Sequence, residues 1–263
     1  MTAYPQPSWQ KSLYTASQSL FDLVFPPRCV GCQRAGAALC DACAQAVEPV
    51  DPPICKRCGR ALVHTQNHTQ LHTWIHEPGH TDEALCSLCQ ADKAPVLSMV
   101  RAAAYYSEPL SDIIHQFKYG KRPELSSSLV RYLITRFAAS EWRNVAIDIV
   151  APVPMYATRQ QERGYNQAEL LAADFCRITR LPFDAQLLRR VRFTEAQVGL
   201  NAVERARNVE GAFEAKPTIK GKSVLLIDDV YTTGATLRAC ATDALQKGAR
   251  QVCALALAIP ITH

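Results

Sequence analysis

Residues 224–236 read VLLIDDVYTTGAT: four aliphatic residues, two adjacent carboxylates at Asp228 and Asp229, then Thr232, Thr233 and Thr236 around Gly234. Acids next to hydroxyls and a glycine can do two kinds of work. The hydroxyls and the backbone amides near Gly234 suit a terminal phosphate. The carboxylates repel a phosphate unless they meet something else, namely sugar hydroxyls or a magnesium ion. A ribose 5-phosphate satisfies both halves.

A second set of chemical residues lies upstream. Eight of the eleven cysteines form four C-x-x-C pairs, Cys29/Cys32, Cys40/Cys43, Cys55/Cys58 and Cys86/Cys89. Each pair can turn both sulfurs toward one tetrahedral zinc, and two pairs close a structural site. Four pairs therefore predict two zinc ions. The shortest loops join 29/32 with 40/43 and 55/58 with 86/89, and an interleaved pairing is the rival. A disulfide framework is the other reading; an N-terminus without the basic-then-apolar order of an export signal favours reduced thiols and a cytoplasmic address. Cys176, Cys240 and Cys253 each sit among apolar neighbours and are expected to be core residues. His64, His68, His72, His76 and His80 recur at every fourth position between Cys58 and Cys86. Their Thr-, Gln- and Asn-rich surroundings and the Pro78-Gly79 break predict a surface insertion in a ribbon loop.

These residues need elements to hold them. Leu110, Ile113, Ile114 and Phe117 keep helical spacing and stop before Gly120. The run 145–154 is strand-like and ends in prolines. Asn166 and Glu169 have the spacing of an N-cap and its partner, ahead of a helix carrying Ala168, Leu171, Ala172, Phe175 and Cys176. SVLLI at 223–227 reads as a parallel strand buried on both faces. A helix through Leu237, Cys240, Ala241, Ala244 and Leu245 follows it, and QVCALALAI at 251–259 returns as a strand. Strand, loop, helix, strand is a βαβ unit, and repeated units imply a parallel α/β sheet with flanking helices. In such sheets ligands sit beyond the carboxyl ends of the strands, where 231–236 falls. The boundary is placed at 98/99, with an N-terminal helix and cysteine module over 1–98 and the α/β domain over 99–263.

The 263 residues, 48% hydrophobic and 20% charged, have the balance of a globular protein, and no apolar stretch reaches the roughly 20 residues of a membrane helix. Residues 1–98 hold 7 Lys and Arg against 8 Asp and Glu; residues 99–263 hold 22 against 16. The basic excess in the second part favours an anionic partner.

IDDVYTTGAT resembles the phosphoribosyl-pyrophosphate motif of type I phosphoribosyltransferases. The wider chain resembles the ComF/GntX family of competence-associated proteins in LFDLVFPPRCVGC (20–32), the cysteine pairs, IIHQFKYG (113–120), APVP (151–154), RQQERGYNQAELLA (159–172) and 187–213. The resemblance implies a type I phosphoribosyltransferase-like domain carrying a small zinc-ribbon module. It implies that Asp228 and Asp229 hold ribose hydroxyls, and that the loop Val230, Tyr231, Thr232, Thr233, Gly234, Ala235 and Thr236 holds the 5-phosphate. The loop after APVP would take the pyrophosphate with Arg159 and Arg163, whose forks suit phosphate oxygens. A mobile, basic excursion over 193–210, with Gln197, Arg205, Arg207 and Asn208, would close over the substrate. The implied reaction is Mg²⁺-dependent displacement of pyrophosphate at the anomeric carbon. The implied partners are phosphoribosyl pyrophosphate, single-stranded DNA and DNA-uptake proteins. Tyr231 departs from the motif, where a small aliphatic residue is more usual, and is expected to narrow the mouth of the site.

Overall fold

The structure, a computed structural model, describes residues 26–62, 84–192 and 208–261. The histidines between 64 and 80, and Gln197, Arg205 and Arg207, lie outside the described residues. The chain divides into two compact units, Met1–Ala46 and Val47–His263.

The larger unit is built on four parallel strands: β1 (Met99–Tyr105), β2 (Ile149–Pro152), β5 (Ser223–Val230) and β6 (Gln251–Ile259), in the order β1-β6-β5-β2. The central strands β5 and β6 are aliphatic because both faces are covered: Val224, Leu225, Leu226, Ile227 and Val252 through Ile259 are all buried. Helices α3 (Leu110–Tyr119), α4 (Leu125–Phe137), α5 (Ala157–Arg163), α6 (Gln167–Thr179) and α7 (Ala235–Gln246) connect and flank the strands. Two five-residue helices, α1 (Asp41–Gln45) and α2 (Ser87–Ala91), begin at the second cysteine pair of each tetrad. Among the described residues no helix is long and apolar enough to cross a membrane.

The expected α3, α6, α7 and β6 form where their patterns place them, and Asn166 caps α6 by accepting a hydrogen bond from the Ala168 amide. Other elements differ. The strand expected over 145–154 is confined to Ile149–Pro152; just before it, the Asp148 carboxylate accepts from the Ser223 amide at 2.7 Å and pairs with Arg250 at 2.9 Å. The segment after APVP is helix α5 where a loop was expected. The segments that flank the basic excursion form a further, unexpected pair, Leu188–Arg190 (β3) running antiparallel to Phe213–Ala215 (β4). β1 and α4 were not anticipated. β1 reads MVRAAAY, alanine-rich and without alternation, and Arg101 within it is buried by hydrogen bonds to Glu141, Val100 O and Lys56 O.

Cys176, Cys240 and Cys253 are buried as expected. Burial pushes the Cys176 and Cys253 thiols up to about 11, so they are poor nucleophiles.

Candidate ligand site and metal centres

The site begins with a strand longer than its hydrophobic run suggests. β5 continues through Asp228 and Asp229 to Val230, with Asp228 opposite Ala256 and Val230 opposite Ala258 on β6. Successive strand residues face opposite sides, so the two acids diverge. Asp229 meets Lys118 Nζ at 3.0 Å, delivered by the last turn of α3. Asp228 shares its side of the strand with Val224 and Leu226 and lies within electrostatic reach of Arg190 and Cys240. Burial, then the neighbouring Asp229 charge, raises the Asp228 carboxyl to about 7 against the pull of Lys118 and Arg190. Lys118, although desolvated, is held above its ordinary value by Asp229. Neither Lys118 nor Arg190 carries a pattern in the sequence that assigns it to the site; a lysine closing the FKYG turn was the available signal for the first.

Past Val230 the chain leaves the sheet. Gly234 takes a left-handed conformation, φ 77°, and a Cβ there would come within 2.6 Å of the Tyr231 ring and 3.2 Å of Arg238. Only glycine fits. Helix α7 starts at the next residue, and Thr233 Oγ1 accepts from the Ala235 amide at 3.4 Å. Asp228, Val230, Tyr231, Thr232, Gly234, Ala235, Thr236 and Leu237 line a recess at this helix start. The first-turn amides of α7 and its dipole make the recess suited to an anion. Tyr231, expected to narrow the mouth, is buried, with its ring over Gly234 and beneath the Arg60 guanidinium, 5.2 Å from the ring centre.

Arg159 and Arg163 lie on α5. Arg159 acts electrostatically on Arg190, which places two guanidinium groups near the acid side of the site. Arg163 stacks on Tyr119 at 4.8 Å and donates to Gln167 Oε1 at 2.9 Å. Gln167 Nε2 and Tyr165 Oη both donate to the Phe117 carbonyl, at 3.1 and 2.6 Å. A chain of hydrogen bonds thus runs from Arg163 to the residue before Lys118. Asn208 uses its carbonyl to accept from Arg192 at 3.2 Å.

The eight N-terminal cysteines gather as two groups, Cys29/Cys32/Cys40/Cys43 and Cys55/Cys58/Cys86/Cys89, each with its sulfurs within 4.8 Å of one another. This is the sequential pairing. Cys32 and Cys40, and likewise Cys58 and Cys86, stand 3.6 Å apart. The edge of a tetrahedron with metal–sulfur bonds of about 2.3 Å is roughly 3.8 Å, so both groups fit structural zinc. The two are built alike. In each, the first cysteine's amide donates to the carbonyl of the arginine five residues on, Arg34 or Arg60, at 2.9 and 2.7 Å. In each, that cysteine's sulfur accepts from the amide of the third cysteine, at 3.3 and 3.4 Å. Burial raises the Cys29 and Cys55 thiols, but backbone donors outweigh it and hold both at about 6, whereas burial holds Cys43, Cys58 and Cys89 above the ordinary thiol value.

A family model described as Double zinc ribbon domain matches residues 20–72. DNA utilization protein YhgH of Escherichia coli (strain K12) is 30% identical over 217 residues, covering 81% of this chain and 87% of that protein. Competence protein F of Haemophilus influenzae is 32% identical over 219 residues, covering 80% and 87%. Among solved structures, glutamine phosphoribosylpyrophosphate amidotransferase from B. subtilis, complexed with ADP and GMP, overlaps 52% of this chain and 26% of its own at 19% identity and a TM-score of 0.33.

Proposed function

Because the chain belongs to the ComF/GntX family of competence-associated proteins, we propose that it is a phosphoribosyl-pyrophosphate-binding protein serving DNA uptake and handling, and that it transfers the phosphoribosyl group. One observation carries the reading. A buried strand delivers Asp228 and Asp229 straight into a threonine-rich turn at the start of α7, so sugar-binding and phosphate-binding groups lie within nine residues.

In this reading the turn Val230–Thr236 takes the 5-phosphate through α7 amides and the hydroxyls of Thr232, Thr233 and Thr236. Asp228 and Asp229 hold the ribose hydroxyls, Asp229 exchanging Lys118 for the sugar. Arg159 and Arg163 face the pyrophosphate, and the segment bearing Gln197, Arg205, Arg207 and Asn208 closes over it. Mg²⁺ bound with the substrate would neutralise the departing diphosphate, and carboxylate and phosphate oxygens are the donors it takes. In the displacement, a nucleophile bonds to the anomeric carbon while the bond to pyrophosphate breaks and its electrons leave with that group. The acids steady the ribose as positive charge develops on it. Calorimetric titration of the zinc-loaded chain with phosphoribosyl pyrophosphate and Mg²⁺ tests the reading. Saturable binding that Asp228→Asn with Asp229→Asn abolishes is expected, and no binding by the wild type would overturn it.

A second reading, a non-catalytic single-stranded-DNA adaptor regulated by the same ligand, is favoured by Tyr119. Its ring is 58% exposed, with Arg163 at 4.8 Å and His115 at 4.9 Å, an aromatic and cationic surface on which bases can stack. Here the acid-pair variant keeps strongly salt-dependent DNA binding while losing the nucleotide-sugar ligand, and no acceptor gives turnover.

A further inference from the structure

The second cysteine tetrad lies against the sheet and the phosphate turn. Its Cys55–Cys58 knuckle is fastened to β1 by two hydrogen bonds: the Val100 amide donates to Arg57 O at 2.7 Å, and Arg101 Nη2 donates to Lys56 O at 3.0 Å. Arg57 ties the knuckle to the other half of its tetrad, donating to Cys89 O at 2.6 Å and Asp92 O at 3.1 Å. Gly59 follows with φ 68°, and a Cβ there would come within 2.5 Å of the Val100 carbonyl. Arg60 then leaves the knuckle toward the turn after β5. Its Nη2 donates to the Thr232 carbonyl at 2.6 Å, and its guanidinium covers the Tyr231 ring.

We propose that Arg60 is a positioning residue for the phosphate turn, and that zinc closure of the Cys55/Cys58/Cys86/Cys89 tetrad sets the turn's shape through it. The carbonyl that Arg60 holds belongs to the residue that opens the threonine run. Fixing it directs the neighbouring amides and hydroxyls into the recess. Tyr231, the departure from the usual motif, is the aromatic face that the guanidinium needs, so the unusual residue and the ribbon arginine form one contact. Zinc in this tetrad would hold Cys58, two residues before Arg60, and an open tetrad would free the knuckle from which Arg60 projects. The inference concerns the shape of the turn, and rests on the proposed function only where ligand affinity is measured.

Amide hydrogen exchange of the peptide spanning 230–237, in the full zinc-loaded chain, tests it without any ligand. Arg60→Met keeps the aliphatic stem and removes the donor. We expect unchanged zinc content and exchange in the turn faster by about fivefold, the scale of one lost hydrogen bond. Withdrawing zinc from the wild type with a chelator should speed the same peptide, with little further effect in Arg60→Met. Equal exchange in wild type and Arg60→Met at equal zinc content would overturn the proposal. Should Arg60→Met fail to fold, the chelator arm decides, and a turn unaffected by loss of the second zinc overturns it. A parallel titration with phosphoribosyl pyrophosphate should show affinity weakened by about fivefold in Arg60→Met. A wild type that binds none of it sinks the proposed function and leaves exchange to decide this inference.

Discussion

The two cysteine tetrads share one plan, and one of the positions at which their first knuckles differ, Gln33 against Gly59, reports their surroundings. RCVGCQRA at 28–35 and ICKRCGRA at 54–61 fold into the same knuckle, each closed by a bridge between its first and last residue, Arg28 with Ala35 and Ile54 with Ala61. After the second cysteine both backbones turn left-handed, at Gln33 (φ 61°) and Gly59 (φ 68°). The first knuckle carries a full side chain there. The second cannot, because the Val100 carbonyl occupies the place of a Cβ. One zinc knuckle is thus a local staple and the other is fastened to the sheet by hydrogen bonds to β1, and in this chain the residue after the C-x-x-C pair distinguishes the two. The first tetrad lies within Met1–Ala46, whereas the second belongs to the unit that holds the sheet.

The largest expected effect comes from removing one metal at a time. Cys58→Ser should lose one zinc and lower the main calorimetric transition by on the order of 10 °C, since metal-binding energy in such sites is folding energy. Cys32→Ser should also lose one zinc yet leave that transition within about 2 °C. Metal analysis beside scanning calorimetry checks both, and equal losses would erase the distinction. Cys32 is exposed while Cys55, Cys58 and Cys89 are buried, so a chelator should empty the first tetrad sooner.

A middle-sized effect comes from exchanging the distinguishing residues. Gly59→Ala should cost about 2–3 kcal/mol, combining left-handed strain with the approach to Val100. Gln33→Gly, which relieves the same strain with nothing behind it, should change stability by less than about 1 kcal/mol. Denaturant melts of the two variants measure the difference, and equal costs would show that Gly59 is not backed by the sheet.

The smallest effect asks whether the acids at the end of β5 store electrostatic strain that the ribbons do not. The Asp228 carboxyl is raised from 3.8 to about 7 on folding. Its ionisation therefore opposes folding. The penalty is absent below about pH 4, grows as pH rises toward 7 and is complete above that. Asp228→Asn should stabilise the chain by on the order of 2 kcal/mol at pH 8 and by nearly nothing at pH 4. A melting series across that range with identical slopes for both proteins would refute it.

Much of this was legible in the residues. The four C-x-x-C pairs led to two tetrads with the simplest pairing, because loop closure favours neighbours and nothing in the fold opposes it. The motif at 228–236 led to the strand end, since aliphatic runs, acids and glycine each carry a local signal. Lys118, Arg190 and Arg60 were hidden for a common reason. Each reaches the site across a sequence separation of 38 residues or more, Lys118 to Asp229, Arg190 to Asp228 and Arg60 to Thr232, and a long flexible side chain gives no periodic sign of its destination. β1 was missed because Ala102, Ala103 and Ala104 favour a helix locally, while the sheet buries them on both faces. The knuckle repeat itself was readable, as C-x-x-C-x-R-A occurs at both 29–35 and 55–61.

The Phe117 carbonyl, which accepts from both Tyr165 and Gln167, has a mechanical consequence. A helix whose last turn is gripped by another segment is no longer free to fray there. Its end moves only as far as the grip moves. Arg163 bonds to Gln167 at one end of this linkage and Lys118 pairs with Asp229 at the other, so the contacts around the α3 end join a guanidinium to a carboxylate through one anchored helix turn.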